Sequence, residues 1–263
     1  MPDTVETRSS LSIFDLTGKT ALITGSSQGI GWSLATALAG AGARVVLNGR
    51  SGDKLAAAAQ DLREAGAEVI VSAFDVTDPQ AVTAAVDGLE REGHVLDILV
   101  NNAGIQRRRM LEDFPDDDWR ELMRTNLDGV FFVSRAVARH MIGRGRGKIV
   151  NISSVQAELA RPSIAPYTAA KGAVKNLTKG MCADWARHGL QINAIGPGYF
   201  ATPLNEALVN DPAFDTWLRT RTPAGRWGRV EELHGAVIFL ASAASDFMNG
   251  QTLYVDGGML SVL

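Results

Sequence analysis

The sequence holds one cysteine, Cys182, so no intrachain disulfide can form, and a reducing compartment such as the cytoplasm is the expectation. A lone cysteine reads first as a small apolar core residue. The four histidines, His94, His140, His188 and His234, fall at no metal-ligand spacing, so no metal is expected. No unbroken apolar run is long enough to cross a bilayer, and residues 1–10 lack the apolar core of a signal peptide. Positive charge is not in excess: 26 Lys and Arg face 29 Asp and Glu, a formal net charge of −3. Neither nucleic acid nor an anionic membrane is therefore an expected partner. No internal repeat or low-complexity segment is present.

What is present is an alternation of apolar runs and helical stretches with no break in composition. Strands are predicted at 19–24, 44–48, 68–74, 96–100, 148–152, 190–195 and 251–255. Helices are predicted up to Ala41, from Trp119 through Asn126 to about Met141, from Tyr167 to about His188, and near 231–241. This pattern predicts one α/β domain over 12–263, a doubly wound parallel sheet of about seven strands flanked by helices. A loose polar segment is expected at 1–11. A mixed segment at 199–227, with Pro203, Pro212 and Pro223, is expected to lie over the site.

The first strand runs into Gly25-Ser-Ser-Gln-Gly29-Ile-Gly31 and then an Ala/Leu-rich helix. Glycines there allow a tight turn and close approach of backbone to a pyrophosphate, and the helix N-terminus offers N–H groups to the anion. The second strand ends in Asn48-Gly-Arg50, without the acid that a free ribose 2′-hydroxyl favours. Arg50 reads either as the partner of a 2′-phosphate or as a solvated turn residue. Asp75, with Val76 after it, reads as an adenine contact or as a helix-start residue. The fourth strand ends in Asn101-Asn-Ala-Gly104, where such sheets bind ligands. Gln106-Arg-Arg-Arg109 follows directly and is either a recognition site for an anionic substrate or a solvated run.

Tyr167 and Lys171 are one helical turn apart, and Pro166 suits the first turn of their helix. Ser154 follows a buried strand. An ammonium beside a phenol favours the phenolate, so the pair can move a proton to or from an alcohol or carbonyl, with a Ser hydroxyl holding the reacting oxygen. A Tyr-x-x-x-Lys spacing alone fits an ordinary surface helix equally well; the upstream Ser154 and the Gly-rich start decide between the two.

Together, Thr24 to Gly31, Asn101 to Gly104, Asn126, Ser154 with Tyr167 and Lys171, and Pro197-Gly198 resemble the short-chain dehydrogenase/reductase family over essentially the whole chain beyond residue 12. The resemblance implies a Rossmann-type fold, a nicotinamide cofactor and commonly a homotetramer. It implies that Tyr167 is the general acid/base, that Lys171 lowers its pKa and holds the nicotinamide ribose, that Ser154 holds the substrate oxygen, and that Asn126 supports a water relay near Lys171. Gly25, Ser27, Gln28, Gly29, Ile30 and Gly31 would line the pyrophosphate. Asn102, Ala103 and Gly104 would flank the adenosine side, and Pro197, Gly198, Phe200 and Thr202 the nicotinamide side. With Asn48 and Arg50, the cofactor expected is NADP. The segments Val46-Leu-Asn-Gly-Arg50, Asn102-Ala-Gly-Ile-Gln-Arg-Arg108, Ser154-Val-Gln-Ala-Glu-Leu-Ala-Arg-Pro162, Pro197-Gly-Tyr-Phe-Ala-Thr202 and Arg221-Thr-Pro-Ala-Gly-Arg-Trp-Gly228 narrow the resemblance to members acting on sugar acids. For the carboxylate of such a substrate Arg108 is the first choice and Arg107 the second. Gln156, Glu158 and Arg161 are candidates for its hydroxyls or for positioning, Glu158 alternatively by orienting an Arg. Another sugar acid, a polyol or a 3-ketoacyl substrate, or a dinucleotide-binding regulator without catalysis, are the competing expectations.

Overall fold

The computed structural model describes residues 11–263, so the loose segment expected at 1–11 lies outside the described residues but for Leu11. The first half of the chain forms β1 (Thr20–Ile23), α1 (Gly29–Gly40), β2 (Arg44–Gly49), α2 (Gly52–Glu64), β3 (Val69–Ala73), α3 (Pro79–Arg91) and β4 (Leu96–Asn101). The second half forms α4 (Asp116–Met123), α5 (Gly129–Arg144), β5 (Gly147–Ile152), α6 (Ala165–Trp185), β6 (Leu190–Pro197), α7 (Glu206–Val209), α8 (Pro212–Arg221), α9 (His234–Ala241) and β7 (Thr252–Val255). All neighbouring strands are parallel, in the order β3-β2-β1-β4-β5-β6-β7. The α/β class and the seven parallel strands are those the sequence pattern predicts.

The strands read as near-continuous Val, Ile and Leu because helices cover both faces. Ala21 and Ile23 pack with Leu34, Leu38 and Leu55 on one face, where α1, α2 and α9 lie. Leu22, between them, packs with Val86, Val137 and Val174 on the other, where α3, α5 and α6 lie. That is the period of two of a pleated strand. A smaller cluster of Val155, Leu218, Trp227 and Met259 lies under α8.

The direction of winding reverses between β1 and β4. In such sheets a crevice opens at the carboxyl ends of the strands on either side of the reversal. The register sets Ile23 beside both Leu47 and Val100, so the loops after β1, β2 and β4 leave the sheet at one level.

Two local features shape that end. The helix predicted through Asn126 is interrupted by a π-helical turn, Arg124–Asp128, between α4 and α5. Such turns insert one residue into the helical ladder and often lie at functional sites. α6 begins as expected, with Pro166 in its first turn, and buries Ala170, Lys171, Val174, Thr178 and Met181 against the sheet. That spacing of three and four places a lysine on the buried face of a helix.

Candidate active site

The loops converge on one cleft of about 530 Å³, within the range of small-molecule sites. It is lined by Ser154, Tyr167 and Lys171, which arrive from the end of β5 and the first two turns of α6. Ser154 and Lys171 are buried and Tyr167 is partly buried. Ser154 Oγ accepts from the Gln156 backbone N–H at 3.1 Å. Lys171 Nζ lies 5.6 Å from the centre of the Tyr167 ring and donates to the Ile152 carbonyl at 2.6 Å. The Ser153 hydroxyl donates to the Lys171 carbonyl at 3.2 Å, which pins α6 to β5 at this level.

In the protein alone, burial governs the electrostatics of both groups. Burial pushes Tyr167 up to about 12, against the pull of the Ser154 hydroxyl and the more distant charge of Arg108. Burial pushes the Lys171 ammonium down to about 8. Desolvation shifts both groups toward their neutral forms. In the protein alone, the cation that favours the phenolate is Arg108 rather than Lys171.

Asn126 is fully buried and does not reach the cleft wall. Its Nδ2 donates to the Ile105 carbonyl at 2.9 Å and its Oδ1 accepts from the Ile105 N–H at 2.8 Å. Both ends of the amide are engaged, so the side chain clasps the loop that carries Gln106 and Arg108.

The other end of the cleft is lined by Gly25, Ser27, Gln28, Gly29, Ile30, Gly31, Asn48, Arg50, Asp75, Val76, Asn102, Ala103 and Gly104. A Cβ on Gly25 would stand 2.8 Å from the Ala103 backbone, and one on Gly31 would stand 2.3 Å from Asn102 Nδ2, so both positions need glycine. Asn102 Nδ2 donates to the Thr24 and Gly25 carbonyls, both at 3.0 Å, and fixes the turn. Gln28, the residue before α1, makes no side-chain cap, which leaves the first N–H groups of that helix to an anion. Asn48 Nδ2 donates to the Ser72 and Phe74 carbonyls at 3.1 Å, while its Oδ1 is buried without a partner among the described residues. Asp75 Oδ1, on the cleft wall, accepts from the Thr77 N–H at 2.8 Å, while α3 is capped by Asp78. Arg50 is exposed at the rim, and no acid among the described residues lies within ion-pair reach of it. A narrow glycine cradle, an open helix N-terminus, a buried acceptor and a rim cation fit a dinucleotide that carries an additional phosphate.

The third wall is polar and cationic. Gln156, Arg108, Arg161 and Tyr199 line it, and Pro197, Gly198, Phe200, Thr202, Leu204 and Asn205 line the same cleft. Arg108 Nη2 donates to the Leu204 carbonyl at 3.2 Å and to Asn205 Oδ1 at 3.3 Å. Desolvation and the nearby Arg161 lower the pKa of Arg108, against Tyr199 and Tyr167, which raise it. Arg161 lies 5.3 Å over the Phe214 ring and its Nε donates to the Tyr199 hydroxyl at 3.1 Å. Among the described residues neither arginine has a carboxylate within ion-pair reach.

Two candidates fall outside this wall. Arg107 turns away and pairs with Glu121 at 2.6 Å, with Asp118 at 3.9 Å, because α4 presents both acids beside it. Glu158 accepts from Lys175 on α6 and from the Tyr254 hydroxyl on β7, which hold its carboxyl below the usual range. Glu158 therefore orients a lysine and a tyrosine, not an arginine, away from the cleft. Tyr199, in contrast, was not among the residues expected here. The only signal for it was its place directly after Pro197-Gly198.

The fold and this arrangement are those of an alcohol/carbonyl oxidoreductase, and the chain belongs to the short-chain dehydrogenase/reductase family. A family model described as enoyl-(acyl carrier protein) reductase matches residues 25–260. The chain is 61% identical over 247 residues to gluconate 5-dehydrogenase of Gluconobacter oxydans (strain 621H), covering 94% of this chain and 96% of that one. It is 50% identical over 248 residues to 5-keto-D-gluconate 5-reductase of Escherichia coli (strain K12), covering 94% and 98%. Among solved structures, a gluconate 5-dehydrogenase from Burkholderia cenocepacia J2315, in complex with NADP and tartrate, superposes with a TM-score of 0.95 at 62% identity, covering 96% of this chain and 99% of that one.

Proposed function

We infer that the protein is an NADP-dependent oxidoreductase that moves a hydride between nicotinamide and a sugar acid, interconverting D-gluconate and 5-keto-D-gluconate. The observation that carries this reading is one cleft lined both by Ser154, Tyr167 and Lys171 and by Arg108 and Arg161, cations with no carboxylate in ion-pair reach among the described residues. A sugar acid offers a reacting carbon to the first set and a carboxylate to the second. The names of the relatives agree, and the NADP bound in the Burkholderia structure agrees with Arg50 and the missing acid at the end of β2.

The bound cofactor supplies or accepts the hydride. Ser154 holds the substrate oxygen. Tyr167 gives its proton to that oxygen in reduction and takes one in oxidation. With its pKa near 12, the phenol is protonated at neutral pH and ready to donate; oxidation needs the phenolate and gains as pH rises. Lys171, with one N–H spent on Ile152, keeps its others for a ribose hydroxyl. Asn126 is a positioning residue through Ile105. Arg108 binds the carboxylate with its guanidinium fork, with Arg161 adding charge beside it.

We also propose that residues 12–263 act as one catalytic unit, with 199–227 as its substrate cap. A cytoplasmic homotetramer is the proposed state; the exposed Trp119 on α4 and Phe131 on α5 are apolar side chains that such an assembly would cover. Light scattering tests that state directly. The function is tested by turnover of gluconate, an uncharged polyol and a 3-ketoacyl thioester, each with NADP and NAD. Gluconate with NADP is expected to lead. Preference for another substrate would reassign the substrate class, and cofactor binding with no turnover of any would point to a regulator.

A further inference from the structure

The Gln156 side chain is 6% exposed and lies on the cleft wall, two residues beyond Ser154. Its Nε2 donates to the Tyr199 hydroxyl oxygen at 3.2 Å, and Arg161 Nε donates to the same oxygen at 3.1 Å. Its Oε1 is buried and has no partner among the described residues. A phenol oxygen has two acceptor sites and one donor. With both acceptor sites taken, the Tyr199 O–H is left as a donor. An orphaned acceptor and a free donor thus stand side by side on the substrate wall.

The pair is held in place. Tyr199 packs against Phe214 at 5.6 Å, Trp227 at 6.0 Å and Trp217 at 6.1 Å, measured between ring centres, so its hydroxyl cannot swing away without breaking three aromatic contacts. Gln156 sits in the short turn Val155–Ala157, whose first N–H bonds are fixed by Ser154. Rotating the Gln156 amide by half a turn would give its oxygen to the Tyr199 O–H and turn the NH₂ into the cleft instead. Either orientation leaves one polar atom of Gln156 facing substrate.

We propose that Gln156 and Tyr199 together read a substrate hydroxyl other than the reacting one, and so select a polyhydroxylated acid over a deoxy acid. A hydroxyl both donates and accepts, and so satisfies the amide in either orientation. A methylene satisfies neither, and leaves the buried amide unpaired. With the amide oxygen toward the cleft, a carboxylate, which only accepts, is repelled there and is taken by Arg108. Sites built to pair with a hydroxyl discriminate strongly against analogues that lack it.

This inference rests on the sugar-acid reading, and the experiment separates the two. kcat/KM is measured for D-gluconate and its 2-, 3-, 4- and 6-deoxy analogues, with NADP, in wild type, Gln156→Leu and Tyr199→Phe. Unchanged NADPH binding by fluorescence shows that each variant is folded; Tyr199→Phe keeps the aromatic packing if Gln156→Leu does not fold. In wild type, one deoxy analogue is expected to lose about 10–100-fold relative to gluconate. In the variants, gluconate should fall to the level of that analogue, and the difference between the two should vanish. Turnover of gluconate with no deoxy analogue disfavoured, or variants that slow every substrate by one common factor, would overturn this inference alone. No turnover of gluconate by wild type would overturn the parent reading and this inference with it.

Discussion

The floor of the cleft and its cap are built on opposite terms. The floor is β5 with the first turns of α6: every residue of β5 is buried, and α6 runs 21 residues with Lys171 on its inner face. The cap, 199–227, is two short helices joined by turns; α7 has four residues and buries none of them. Leu204 and Trp217 of the cap stand 48% and 43% exposed. The floor holds proton-transfer groups in a dry setting where desolvation dominates their pKa values. The cap presents Tyr199, held among aromatic rings, and the neutral acceptors of Arg108, the Leu204 carbonyl and Asn205 Oδ1. Chemistry is placed on regular elements because it needs fixed geometry; recognition is placed where a few substitutions can change it.

The largest effect should come from the floor. Tyr167→Phe removes the proton donor and should lower kcat by about 10²–10⁴-fold, with NADP binding and thermal stability unchanged. Near-normal kcat would move the chemistry elsewhere in the cleft.

The second test asks whether the floor trades stability for function. Lys171→Met removes an ammonium whose pKa burial lowers from 10.5 to about 8. Where folded and unfolded chains both carry the charge, below about pH 8, the variant should be more stable by on the order of 2–3 kcal/mol, though inactive. The folded pKa is the lower one, so between about pH 8 and 10.5 the folded protein loses its proton first and wild type gains stability as pH rises. The advantage of the variant should therefore fade across that window in denaturation series. An advantage independent of pH would mean that packing, not charge, is responsible.

The mouth should respond by substrate. Arg108→Ala should cut kcat/KM for gluconate by about 10–100-fold while sparing an uncharged polyol of similar length. Equal losses on both would make Arg108 a brace for the cap, through Leu204 and Asn205, and not a carboxylate partner. The smallest effect is expected at the rim: Arg50→Ala should weaken NADP by about tenfold and NAD hardly at all, measured by titration. Equal weakening would remove the 2′-phosphate from the argument.

Much of the floor was legible in the sequence because its signals are local. Gly25 to Gly31 needs only a strand before it and a helix after it, and Tyr167 with Lys171 needs only the pitch of one helix. The apolar runs that became β1 to β7 carry their own burial pattern. The pKa inversion was not legible, since desolvation depends on how completely α6 is covered by β5 and the cleft walls. Asn126 showed its position but not its partner, because the Ile105 backbone that it clasps is 21 residues away.

The arginines mark the boundary between the two kinds of information. The sequence by itself determined a doubly wound sheet, a dinucleotide turn and a proton-transfer pair, because turn chemistry and periodicity act over a few residues. It also placed Arg107 and Arg108 together at the mouth of a site. Which of the two lines the cleft was decided by the tertiary structure: α4 brings Glu121 and Asp118 to Arg107, while neutral acceptors hold Arg108. Adjacent side chains on an extended loop point to opposite sides, and only the elements packed on each side determine which charge is neutralised and which is left for the ligand.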